Sequence, residues 1–201
     1  MRNRGYKYVI KCSEEGYWLL CINATWINQM LRDRGIKPKD FRRLTYEDLA
    51  KVQETKELGY LFLELRPRNF WQMCDTVALS LAKYKNDDKK DFKGRAYKQS
   101  WFLKYPMFSC EDAYEHLMDA GFQQEDALRV MEFVRRGRCQ TLSLTRDEFL
   151  QLYDVPEDMQ EAFSYCHYLP RREEVVERLL DSVEKAMALV KSQENYEETE
   201  Q

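Results

Sequence analysis

Ten cationic side chains offer the plainest chemistry in this sequence: Arg66, Arg68, Lys89, Lys90, Lys93, Arg95, Lys98, Arg135, Arg136 and Arg138. Five of them fall between Lys83 and Lys104, a stretch with eight Lys/Arg against three Asp and with Tyr84, Phe92, Tyr97, Trp101 and Phe102 interleaved. Ammonium and guanidinium groups attract phosphate oxygens, and aromatic faces stack on bases. Such a composition suits the backbone of a single strand or a primer–template. The same residues could also form a solvated charged loop whose aromatics plug into a core, and Arg135 and Arg136 would stabilise a helix C-terminus with no ligand present. The set points to a polyanion more strongly than any one member does.

Other reactive side chains offer less. Cys110, His116, Cys166 and His167 could supply a nucleophile and a base, but no elbow or oxyanion motif accompanies them. Cys166 and His167 are neighbours, which on a helix would point about 100° apart, so they do not share a metal. The six cysteines show no CxxC pair and read as reduced, mostly buried thiols, neither a disulfide framework nor a zinc site. Two-metal phosphoryl transfer needs several convergent carboxylates. The sequence has no D-x-D, and Asp87, Asp88 and Asp91 lie in the basic stretch. The expectation is no catalytic residue, no metal site and no cofactor.

The elements that position these groups follow from caps and periods. Residues 6–12 and 17–22 are β-rich runs about a four-residue loop containing Gly16, as in a hairpin. Asn23 or Thr25 can cap a helix that ends at Gly35, and Thr45 caps another that Gly59 closes. Residues 60–65 read equally as buried strand or helix. Arg66-Pro67 breaks the chain, and Asn69 caps a helix to about Ala82. Lys83–Lys104 reads as a partly mobile loop.

Phe108 to Arg138 predicts a helical hairpin. Ser109 is the cap, Gly121 the turn, and Ala127, Val130, Met131 and Val134 make one apolar face at i, i+3, i+4, i+7. Thr145 to Glu148 forms a capping box for a short helix through Leu152. Pro156 opens a further helix that Pro170 ends. Residues 171–192 predict a long amphipathic helix with Val176, Leu179, Leu180, Val183, Met187 and Val190 on its stripe.

The expected fold class is mainly α. A small α+β lobe over residues 1–65 is followed by a helical domain over 66–193 and an acidic tail over 194–201. Although the net charge is only −3, residues 173–201 carry nine Asp/Glu against three Lys/Arg, so a basic middle faces an acidic end. No run of some 18 apolar residues occurs, which implies no membrane and a cytoplasmic location.

The run Gly121 to Arg138, with Ala127, Met131-Glu132, Val134-Arg135 and Gly137 in register, resembles the fingers region of Gram-positive C-family replicative DNA polymerases, the PolC-type DNA polymerase III α subunit. The similarity runs from about Leu65 to Glu173. Leu65-Arg66-Pro67-Arg68-Asn69-Phe70 is similar to the family's RP(K/R)TF, and Leu79-Ser80 stands where it has GLSHGT. Cys110-Glu111-Asp112 matches CRDD in part, Asp154-Val155-Pro156-Glu157 matches DVPE, and Tyr168-Leu169-Pro170-Arg171 resembles YMFPKAH with one residue missing. In place of SHGT the chain has Ser80-Leu81-Ala82-Lys83. In place of PKAHA it has Pro170-Arg171-Arg172-Glu173, an acid where the family has histidine. The palm aspartates have no counterpart.

The resemblance therefore implies helical fingers without a palm: a non-catalytic, stand-alone relative that binds DNA, as primer–template or single strand, or serves as a replication accessory. The alternative is a protein–protein interaction module, replisome-binding or a mimic, without direct DNA binding. Loss of SHGT and PKAH and the acidic tail favour the alternative. The oligomeric state is left open.

Overall fold

The structure is a computed structural model and describes residues 7–12, 16–21, 24–53, 55–84, 105–136, 144–164 and 166–199. Strands β1 (Lys7–Cys12) and β2 (Gly16–Cys21) pair antiparallel with Tyr8 opposite Leu20 and Ile10 opposite Trp18, as the two β-rich runs require. Helix α1 (Ala24–Asp33) follows and ends before Gly35, whose φ of 66° is the left-handed conformation a helix terminus favours. Helix α2 (Pro38–Arg43) was not expected. Its signals are Pro38 at the first position and Asp40, whose carboxylate accepts from the Lys37 N–H at 2.7 Å.

Where one helix closed by Gly59 was expected, the chain forms α3 (Tyr46–Lys51) and α4 (Lys56–Leu65). Thr45 caps α3 through Asp48, as expected, and Thr55 caps α4 through the Leu58 N–H at 3.3 Å. Gly59 lies inside α4 and has a packing role: a Cβ there would stand 3.0 Å from the Ala50 carbonyl oxygen of α3. The ambiguous run 60–65 is helical, with Leu61, Phe62 and Leu65 buried. Arg66 ends α4 in the left-handed region at φ 45°. Asn69 then caps α5 (Phe70–Leu81), its side chain accepting from the Gln72 N–H at 2.9 Å.

After β3 (Lys83–Tyr84) the description resumes at Tyr105, so most of the expected basic loop lies outside the described residues. The central hairpin is as read: α6 (Cys110–Asp119), Gly121 at φ 90°, and α7 (Gln124–Arg136). Ala127, Val130, Met131 and Val134 are each 0% exposed, and full burial of a Val or Met side chain is worth roughly 1.5–3 kcal/mol. The Thr145 capping box opens α8 (Arg146–Leu152). Helix α9 (Glu157–Ser164) begins just after Pro156, whose carbonyl accepts from Met159 and Gln160.

Pro170 does not end α9. A strand intervenes, β4 (Cys166–Tyr168), pairing antiparallel with β3 through Lys83–Tyr168 and Tyr84–Cys166. Helix α10 (Arg172–Thr199) continues past the expected end at 192. Nothing between Ser192 and Thr199 is a Gly or Pro, and Arg43 of α2 pairs with Glu194 at 3.1 Å.

The fold is mainly helical, with two small two-stranded sheets among the described residues. One apolar cluster runs through it from Trp26 to Ala186. Helix α5 lies against α4 and α10, α3 also touches α10, and Ser182 of α10 donates to Gln53 at 3.0 Å. The division expected at residues 65/66 thus falls inside a shared core. Among the described residues no helix is long and apolar enough to cross a membrane.

Candidate nucleic-acid interface

Two distant sequence pieces, Cys110-Glu111-Asp112 and Pro170-Arg171-Arg172, meet in the interior. The Cys110 N–H donates to the Pro170 carbonyl at 2.9 Å, and the Arg172 N–H donates to Glu111 at 2.8 Å. The Arg172 guanidinium, on a residue only 4% exposed, reaches Asp112 and Glu115, each at 3.0 Å. Asp112 also accepts from Phe108 and Ser109 N–H groups, which fixes the start of α6. Burial opposes the charge on Arg172, but Asp112, Glu115 and Glu111 outweigh it and hold the guanidinium above its ordinary range. Sequence reasoning missed this knot. Its one available signal was the i, i+4 spacing of Glu111 and Glu115 beside Asp112, on a helix otherwise apolar enough to be buried.

That knot anchors the chain around β4. The Leu169 N–H donates to the Arg135 carbonyl at 3.1 Å, so the last turn of α7 lies beside β4. Helix α8 is held to α7 by stacking of Phe149 on Phe133, with ring centroids 4.0 Å apart. On β4, Cys166 points inward and His167 outward, the alternation of a strand and not the 100° step of a helix. Around β4, Arg135, Arg171 and Glu174 lie close to Tyr168, Arg146 and Asp112 close to Cys166, and Lys83 is paired across from Tyr168.

Of the ten expected contact residues, Lys89, Lys90, Lys93, Arg95, Lys98 and Arg138 lie outside the described residues. Tyr84, the last described residue before the first of these segments, is paired to Cys166, and Arg136 adjoins the second. Arg135 and Arg136 are here, but both engage Glu132: Arg135 through bonds of 2.7 and 2.6 Å, and Arg136 through an ion pair. Hydrogen bonding from Glu132 keeps the Arg135 guanidinium above its ordinary value. Arg136 keeps 41% of its side chain exposed, whereas Arg135 keeps 11%. Arg136 is therefore the better presented of the two.

Arg66 and Arg68 are exposed at the other end of α5, whose 12 residues separate them from β3 by about 18 Å. The structure thus does not gather all the described candidates at one place. A second basic surface, not anticipated from the sequence, lines a cleft of about 260 Å³ between α2 and α10. It is built from Lys37, Lys39, Arg43 and Lys191 over Leu44 and Val190.

The side chains weighed for nucleophilic chemistry are poorly set for it. Burial, with Glu111 alongside, pushes the Cys110 thiol well above its ordinary value, and burial raises Cys166 to about 12, so both stay protonated. His116 is buried, with Nε2 2.9 Å from the Pro106 carbonyl and its ring edge-on to Tyr105. Cys74, Cys110 and Cys166 are buried thiols outside any disulfide. Among the described residues no three His, Cys, Asp or Glu side chains are placed to hold a metal ion. Neither the models of known protein families nor the curated proteins include a match to this chain.

Proposed function

We propose that this protein binds DNA, as single strand or primer–template, in the manner of a non-catalytic relative of polymerase fingers. The observation that supports the reading most is the convergence at β4. Arg135, Arg146, Arg171 and Lys83 lie near one short strand, with Arg136 beside Arg135, and Glu132, Asp147, Glu174 and Asp112 are the acids close by. A surface of this kind holds phosphates without reading bases, so affinity should depend little on sequence and steeply on salt.

One observation favours the alternative, a protein-binding module. Glu132 already neutralises part of the charge on Arg135 and Arg136. Fluorescence anisotropy with labelled single-stranded and primer–template DNA at two salt concentrations separates the readings. The proposal expects saturable binding at low salt that weakens as salt rises. No binding at low salt defeats it and leaves the interaction module.

A further inference from the structure

Arg146 is the first residue of α8, and its guanidinium lies near the Cys166 thiol at the start of β4. Its Nε and Nη2 atoms are enclosed and have no hydrogen-bond partner among the described residues. The adjacent carboxylate, Asp147, is exposed and makes no hydrogen bond to it. Arg172 shows how this chain treats an arginine whose task is structural, surrounding it with Glu111, Asp112 and Glu115. Arg146 has been given no such company. A buried lysine would relieve the same situation by losing its proton, but a guanidinium keeps its charge at any pH a fold survives, so a bound anion would compensate this partly enclosed group better than water alone. Because the charge is delocalised, an anion at the one nitrogen not closed off, Nη1, serves the whole group.

The surroundings say which anion. Phe149, one turn along α8, is stacked on Phe133 and so locks Arg146 beside the helix that ends in Arg135 and Arg136. We infer that Arg146 is a phosphate-binding residue of the β4 interface, engaging a backbone phosphate of the bound strand. This rests on the DNA-binding reading and adds a residue to it that the sequence did not single out. Arginine suits the role because its charge is permanent, and a charge-assisted hydrogen bond from Nη1 can hold a phosphate oxygen.

The test uses the full chain, with Arg146→Met as the principal variant. A ligand-binding arginine left unpaired in the free protein is a stability cost, so Arg146→Met should melt at the same temperature as the parent or higher without DNA. The same variant should bind labelled single-stranded DNA about fivefold or more weakly, with the log–log salt slope reduced by about one. A lower melting temperature with unchanged DNA affinity marks a structural residue and overturns the inference. Equal affinity and equal salt slope overturn it too, while the DNA reading stands on the parent's own binding. A parent that binds no DNA removes both together. If Arg146→Met does not fold, Arg146→Gln keeps polar donors there without the charge. It should bind labelled single-stranded DNA more weakly than the parent with a reduced salt slope, and parental affinity and slope there would overturn the inference.

Discussion

At the scale of single residues, three arginines are distinguished by what surrounds them. Arg34 pairs with Asp181 and Glu184 while about a quarter of its side chain stays in water, so solvent and salt screen the attraction. Arg172 is almost wholly enclosed, and its removal leaves Glu111, Asp112 and Glu115 around a vacated centre. Arg172→Met should therefore cost about 3–5 kcal/mol in urea unfolding, against about 1 kcal/mol or less for Arg34→Ala. A cost for Arg172→Met as small as that for Arg34 would show that the carboxylates find water or one another instead. Glu111 gives the knot a pH dependence. Burial, opposed by Arg172, raises its carboxyl above the ordinary 4.5, so the folded state holds the proton more tightly than the unfolded chain does. The contribution from this group is complete below the ordinary value and is lost as pH rises through the folded one. Glu111→Gln keeps an acceptor for the Arg172 N–H but does not titrate. The melting temperature of the variant should gain on the parent's between about pH 4.5 and neutrality, and parallel curves over that range would refute the assignment. Beyond the spacing of Glu111 and Glu115 beside Asp112, little of this was legible in the sequence. A cation and three acids separated by some sixty positions look like ordinary surface charge until the fold brings them together.

At the scale of elements, most helix starts are legible locally, with α2 and Gly59 as exceptions, while the elements that depend on a distant partner are not. Asn69, Thr45, Ser109 and Thr145 each begin a helix because a short polar side chain satisfies free N–H groups within three residues. That information is contained in a few consecutive letters. Strands β3 and β4 are two and three residues long and exist because they meet each other across more than eighty positions, so no local period announces them. The candidate site inherits this limit. Arg135 and Arg136 could be named from their place at a helix end, while Arg146 acquires its interest only from β4. Gly59 is the sharpest local misreading, since a glycine following the helical stretch that Thr45 caps invites a helix stop. Its hydrogen faces the Ala50 carbonyl, and Gly59→Ala sets two effects against each other. The gain in helix propensity is about 1 kcal/mol, while overpacking against a backbone oxygen that cannot rotate aside typically costs 1–3 kcal/mol. The variant should be destabilised by roughly 1 kcal/mol in thermal or urea melts, because α3 and α4 must part slightly. Stabilisation instead would mean that the α3–α4 contact yields freely and that Gly59 has no packing role.

At the scale of the whole molecule, the question is whether the hairpin-and-helix segment before residue 66 and the helices after it are separable. The sequence suggested a division there because Arg66-Pro67 is a strong local break. A break in the chain is not a break in the core, however. Leu58, Leu61 and Phe62 of α4 are buried in the same apolar cluster as Val77 and Leu79 of α5 and Val176, Leu179 and Val183 of α10. Tyr46 at the start of α3 donates to the Pro67 carbonyl at 3.2 Å, tying the supposed first lobe to the turn that begins the second. Removing residues 1–65 would therefore uncover the faces of α5 and α10 that α3 and α4 now cover. Surface of that kind, left in water, costs about 25 cal/mol for each Å² of apolar area. The full chain should unfold in one transition, with tryptophan fluorescence and far-ultraviolet circular dichroism tracing the same urea curve. A fragment of residues 66–201 should lack a cooperative transition or bind a hydrophobic dye in the absence of denaturant. If that fragment instead melted cooperatively at the temperature of the intact protein, α5 and α10 would not need α3 and α4, and the shared core would be two cores in contact.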